Sequence, residues 1–128
     1  MYMNILDLPI TPAIIEYYYM YSTDYLAETI DEFDDYLSPE LKAIEDLDDR
    51  TDALCKFLDE HITNLSTITE YYSLEDSYSE EVLILKVDDE IIGIPFTYSS
   101  YDGIEVKENK LGSFPRYHET TEITYKRN

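Results

Sequence analysis

The chain has no tryptophan, one cysteine, three glycines and two histidines among its 128 residues, and only nine positions are Lys or Arg. A lone cysteine, Cys55, excludes an internal disulfide and any CxxC metal or redox motif. No GxGxxG turn or Walker loop is present, which removes nucleotide binding through a Gly-rich cradle. There is no GxSxG elbow. HExxH is absent, and neither His61 nor His118 follows a Glu by three residues, as a helical di-iron centre requires. No stretch approaches the ~18 apolar residues of a membrane span. No basic segment followed by an apolar run opens the chain. The expectation is a protein that is neither secreted nor membrane-spanning, and not an enzyme.

What the chain has in excess is carboxylate: 29 Asp and Glu, for a net charge of −20. Nucleic acid and anionic membranes both bind through cations, so neither is an expected partner. A field of this sign speeds encounter with a basic protein. The excess is local. Residues 23–60 carry −11 and residues 61–90 carry −7, whereas residues 91–128 are neutral. Acidity adapted for solubility alone would not stop at residue 90. The densest stretch is DYLAETIDEFDDYL, residues 24–37, with six acids in fourteen positions and no base. Like charges one helical turn apart cost a few tenths of a kcal/mol per pair, so this massing needs a reason.

A chain of this length fits one domain, spanning residues 1–128, and a composition that is 44% hydrophobic can build a core. The pattern predicts an α+β fold: two to three N-terminal helices within residues 11–73, then a four-stranded antiparallel meander within residues 80–126. Thr11-Pro12 marks a helix start. From there Ile15, Tyr19, Leu26, Ile30, Phe33 and Leu37 recur at spacings built from 3 and 4, which predicts one long amphipathic helix. Asp24, Glu28, Asp31 and Asp35 fall about 160° around the wheel, on the solvent side. Ser38-Pro39 ends that helix. A third is predicted from near Asp49 or Thr51 to about residue 72, burying Leu54, Leu58, Ile62, Leu65 and Tyr72. The period then changes to 2. Strands are expected over residues 81–87, 90–98, 104–107 and 121–125, with turns at Asp88-Asp89 and Tyr101-Asp102-Gly103. Pro95 marks an edge position or a bulge.

The run DLDDRTDALCKF from Asp46 has the look of a calcium loop but fails as one. Arg50 stands at the fifth position, Thr51 replaces the glycine and Phe57 the bidentate Glu. Glu60-His61 and His118-Glu119 are adjacent pairs that point apart and make no dyad. Cys55 sits by an apolar stripe and reads as a small buried residue. No cofactor or metal is expected. Tyr17 and Met20 lean toward the polar side of the first helix. They either form an aromatic contact patch beside the acidic face, which would also permit a homodimer, or pack beneath the meander.

Along a helix the six carboxylates of residues 24–35 would present one charge per ~3 Å, close to the ~3.4 Å phosphate repeat of one DNA strand. The predicted partner-binding residues are Asp24, Glu28, Asp31, Glu32, Asp34, Asp35, Glu45, Asp46, Asp48, Asp49 and Tyr17. A small, Tyr-rich chain with DEFDD-type runs resembles, over residues 23–90, the phage-encoded DNA-mimic inhibitors: anti-restriction proteins, anti-CRISPR proteins and uracil-DNA glycosylase inhibitors. FTYSSYDGIE is similar to β-hairpins of phage proteins. The resemblance implies an inhibitor acting in the cytoplasm of a host bacterial cell. It would block the basic groove of a nucleic-acid-binding protein: a Cas effector, restriction enzyme or DNA repair enzyme. The alternative with the same electrostatics is an immunity protein or antitoxin that neutralises a cationic nuclease toxin.

Overall fold

A computed structural model describes residues 4–36, 38–120 and 124–128. Thr11, in extended backbone, and Pro12 open α1 (Pro12–Met20); proline fits there because the first N–H of a helix has no intrahelical partner. The helix stops at Tyr21, which is left-handed (φ 57°, ψ 32°), and the chain restarts from Thr23 as α2 (Asp24–Glu28). A 3-10 segment, Ile30–Tyr36, follows. The single helix expected over this span is thus three pieces. The reason lies in Tyr21-Ser22-Thr23-Asp24, where two hydroxyl residues and an acid form a new helix start. The apolar stripe nevertheless points inward, because Ile15, Leu26, Ile30 and Phe33 are all buried. Leu37 lies outside the described residues. Ser38 caps the short α3 (Pro39–Lys42), and Asp46 caps α4 (Leu47–His61) by accepting the Asp49 N–H at 3.0 Å.

α4 ends at His61, and Ile62 passes directly into β2 (Ile62–Ser73). The helix expected to about residue 72, and with it the helical part drawn to residue 73, is corrected here. Ile62, Thr63, Thr67, Ile68 and Thr69 are β-branched and lose side-chain freedom in a helix, whereas they pack well on a pleat. Tyr72, assigned to a buried stripe, is exposed. β3 (Tyr78–Val87), β4 (Glu90–Ser99) and β5 (Gly103–Glu105) complete an antiparallel sheet in the order β2-β3-β4-β5. The α+β class holds, with β2 as the fourth strand. β5 ends opposite Thr97, so the flank of β4 at Pro95 meets none of it and the missing N–H is tolerated.

Two small ladders flank the sheet. β1 (Pro9–Ile10) pairs with β6 (Asn109–Lys110), and β7 (Tyr117–Glu119) pairs with β8 (Tyr125–Arg127). Of the last strand expected, residues 121–123 lie outside the described residues, and Tyr125 begins a strand that pairs with β7 rather than with the sheet. On one sheet face Leu83, Leu85, Ile92, Ile94 and Phe96 join Ile14, Ile15, Leu54 and Leu58 in the main core. Each such fully buried side chain contributes about 1.5–3 kcal/mol. Val82 and Ile84 are buried on the opposite face. There Tyr117 lies so close to Gly93 that a Cβ at that position would fall 2.1 Å from its ring.

Candidate functional site

A 3-10 helix turns once in about 3.0 residues, so side chains three apart stack along one edge. In Ile30–Tyr36 this puts Ile30 and Phe33 on the buried edge and Asp31 with Asp34 on the next. Arg50 of α4 meets both carboxylates. Its Nη1 donates to Asp31 Oδ1 at 3.3 Å, and its Nη2 donates to Asp34 Oδ1. The Arg50 side chain is 15% exposed, Asp34 39% and Asp31 85%. The cation missing from residues 23–41 is therefore supplied by the first turn of α4, and it ties the 3-10 segment to that helix. The charge ladder also differs from the one expected, since a 3-10 helix rises about 2.0 Å per residue instead of 1.5 Å.

Asp24 begins α2, Glu28 ends it, and both are exposed, as is Glu32. The Asp35 side chain lies outside the described residues. Glu45 precedes α4, Asp46 caps it, and Asp48 and Asp49 are exposed in its first turn. A helix N-terminus carries about half a positive charge, so Asp46, Asp48 and Asp49 have a local reason to be acidic. Asp31, Asp34 and Asp46 are thus engaged by the fold. Asp24, Glu28, Glu32, Glu45, Asp48 and Asp49 enter no ion pair among the described residues.

Tyr17 stands apart from this group. Its hydroxyl donates to Asp59 Oδ2 at 2.7 Å, and that of Tyr18 donates to Asp59 Oδ1 at 3.3 Å. Asp59 lies ten residues beyond Asp49, about 15 Å along α4. Burial, reinforced by the hydrogen bond to Asp59, pushes the Tyr17 phenol far above its ordinary value of 10.0. Burial and the Asp59 charge do the same to Tyr18. The neighbouring Cys55 is buried and its thiol is raised by that burial, which makes it a poor nucleophile. His61 Nδ1 sits 3.0 Å from Asp88 Oδ1, and His118 Nδ1 2.6 Å from Asn128 Oδ1. Each imidazole is thus joined to a residue distant in sequence, not to its neighbouring Glu. Among the described residues no three His, Cys, Asp or Glu converge as metal ligands, and no helix is long and apolar enough to cross a membrane.

The tyrosine cluster is divided between core and surface. Tyr18 is buried and Tyr19 packs edge-on against Phe96 at 4.9 Å, while Met20, Tyr21 and Tyr25 are exposed. Sequence reasoning passed over a cleft of about 390 Å³ lined by Pro12, Glu16, Met20, Tyr25, Tyr98, Asp102, Gly103 and Ile104. Part of its signature was present, since Pro12, Glu16 and Met20 recur every four residues and share one face of α1. No family model, curated protein or solved structure matches the chain.

Proposed function

We propose that this protein is a stoichiometric inhibitor that offers an anionic face to the cationic nucleic-acid-binding groove of another protein. The face comprises Asp24, Glu28, Glu32, Glu45, Asp48 and Asp49. The observation that supports it most is an imbalance. Residues 23–60 carry fourteen acids against three bases, and among the described residues the one of these bases that forms ion pairs, Arg50, meets Asp31 and Asp34 and leaves those six exposed.

The mechanism is displacement. A groove that holds a polyanion through Lys and Arg gains much of its affinity from releasing condensed counterions. Carboxylates spread over a folded surface compete for the same cations, and fast encounter follows from the opposed fields. Leu26, Ile30 and Phe33 anchor the acidic segment to the core, so little backbone is ordered on binding. The partner on this reading is a basic nucleic-acid-binding protein of a bacterial defence or repair system, and the chemistry calls for no cofactor.

The test is capture from a bacterial lysate. The immobilised protein is expected to retain a basic nucleic-acid-binding protein at low salt, and to release it at high salt or when duplex DNA or structured RNA is added. Retention of a nuclease toxin would move the assignment to an immunity protein. If no basic protein is held at low salt, or the retained one ignores both salt and nucleic acid, the proposal is wrong.

A further inference from the structure

We infer that the cleft between α1, α2 and the β4–β5 turn is a receptor for an arginine side chain of the partner; the inference rests on the inhibitor reading for the partner, but not for the site's chemistry. Three elements build it. α1 presents Pro12, Glu16 and Met20 along one face, α2 adds Tyr25, and the β4–β5 hairpin supplies Tyr98, Asp102, Gly103 and Ile104. Tyr98 and Ile104 are opposite each other across the hairpin. The turn is pinned where the Asp102 N–H donates to Ser99 Oγ at 2.8 Å, and Gly103 takes a left-handed backbone (φ 72°) that a side chain would strain. The Tyr98 ring is set by Tyr19, 6.1 Å away edge-on, which in turn rests on Phe96. The Tyr98 ring and the turn are therefore in place before any ligand arrives.

The lining selects the ligand. Two tyrosine rings, a thioether and an isoleucine make an apolar slot, and Glu16 and Asp102 are its only charged members. Neither carboxylate enters an ion pair or accepts a side-chain hydrogen bond among the described residues. An anion is repelled by them, and a purely apolar group would desolvate both without compensation. A cation satisfies the carboxylates and the ring faces together. Guanidinium fits better than ammonium, because it is planar, more weakly hydrated, stacks on aromatic rings and forks onto carboxylates. A macromolecular source is favoured by Tyr21 and Tyr101, 81% and 83% exposed, which adjoin the lining residues Met20 and Asp102 in the chain. Exposed tyrosines around a pocket are characteristic of protein interfaces.

The site is tested with Nα-acetyl-arginine methylamide and its lysine counterpart, titrated into the full chain and followed by NMR. The arginine compound is expected to give saturable shifts in the rings of Tyr25 and Tyr98 and the amides of Gly103 and Ile104. The lysine compound binds several-fold more weakly. Glu16→Gln with Asp102→Asn weakens arginine binding about tenfold or more, the loss of two charge-assisted partners, and leaves the remaining spectrum unchanged. Shifts confined to the acidic residues Asp24, Glu28, Glu32, Glu45, Asp48 and Asp49, equal affinity for lysine, or a double variant that binds normally would overturn the assignment. The capture assay separates the two proposals. Arginine bound in the cleft with no basic protein retained upholds the site and sinks the inhibitor reading. A partner held through the six acids of the anionic face with no arginine bound in the cleft does the reverse.

Discussion

Arg50 is the point at which the fold and the anionic face meet, and a double-mutant cycle there has a calculable outcome. Two unit charges 4 Å apart interact by about 1 kcal/mol in bulk water and about 4 kcal/mol at an effective dielectric of 20. The Arg50–Asp34 pair lies between these limits, with side-chain exposures of 15% and 39%. After solvent screening, a coupling of about 1–2 kcal/mol is expected from the cycle Arg50→Met, Asp34→Asn and the double variant. Asp31 is 85% exposed, so its coupling to Arg50 should be about 0–0.5 kcal/mol despite the 3.3 Å contact. The single variants alone mislead. Asp34→Asn also relieves repulsion within a segment of net charge −11, and this gain offsets part of the loss. The cycle cancels that background, because it enters both legs. Urea unfolding followed by circular dichroism gives each free energy, and for 128 residues 1 kcal/mol corresponds to about 3–5 °C in Tm. At high salt the Asp31 coupling should vanish and most of the Asp34 coupling should survive, since the half-buried guanidinium is less well screened than an exposed one. Equal couplings for the two acids, or none for Asp34, would refute the 3-10 geometry that brings them to one cation.

Three further outcomes follow from other parts of the molecule. Gly93→Ala sets a methyl group against the Tyr117 ring and should cost about 1–3 kcal/mol while exposing β7 and β8 to proteolysis; a penalty that does not shrink in a Tyr117→Leu background would show that the ring lies elsewhere. Tyr17 and Tyr18 hold their phenol protons more tightly folded than unfolded, so stability should be intact below about pH 10 and fall as the pH rises beyond it. Spectrophotometric titration should then show these two ionising only as the circular-dichroism signal is lost, and ionisation near pH 10 within an intact fold would contradict it. Glu81 is 5% exposed and its carboxylate is met by one hydroxyl, Thr69 Oγ1, at 2.6 and 3.0 Å, with no cation paired to it among the described residues. Glu81→Gln keeps a partner for Thr69 without a buried charge and should stabilise by about 1 kcal/mol, whereas Thr69→Val should cost about 1–3 kcal/mol; a large loss in Glu81→Gln, read by thermal unfolding, would show the charge to be needed.

Features decided by near neighbours in the chain were legible. Thr11-Pro12 and Ser38-Pro39 open helices, Asp88-Asp89 turns the chain between β3 and β4, and short runs rich in Val, Ile and Leu mark both strands. Misreadings arose where two local signals conflicted. In residues 62–73 the 3–4 spacing of Leu54, Leu58, Ile62 and Leu65 runs on past His61, while β-branched Ile and Thr favour a strand, and the strand prevails because β3 is there to pair with it. In residues 12–36 the inward stripe was right although the helix axis was not, because burial needs only that Leu26, Ile30 and Phe33 face the core. The cleft and the Arg50 contact could not be read in this way. Arg50 lies 19 residues from Asp31, and Tyr25 meets the Tyr98 hairpin only through the packing of α1 on β5. The sequence carried the charge imbalance, but not which acids the fold neutralises.

The most direct test of the anionic-face account uses Asp24→Asn, Glu28→Gln and Glu32→Gln together, which spares every acid paired with Arg50. Affinity for the captured basic partner is measured across a range of salt concentrations, alongside urea unfolding of the variant. The account predicts at least about tenfold weaker binding and a shallower dependence of log K on log salt, as expected when fewer ionic contacts form. It also predicts unfolding stability equal to or above that of the parent, because like-charge repulsion is relieved. An unchanged affinity with an unchanged salt slope would place the binding face elsewhere on the molecule and contradict the account.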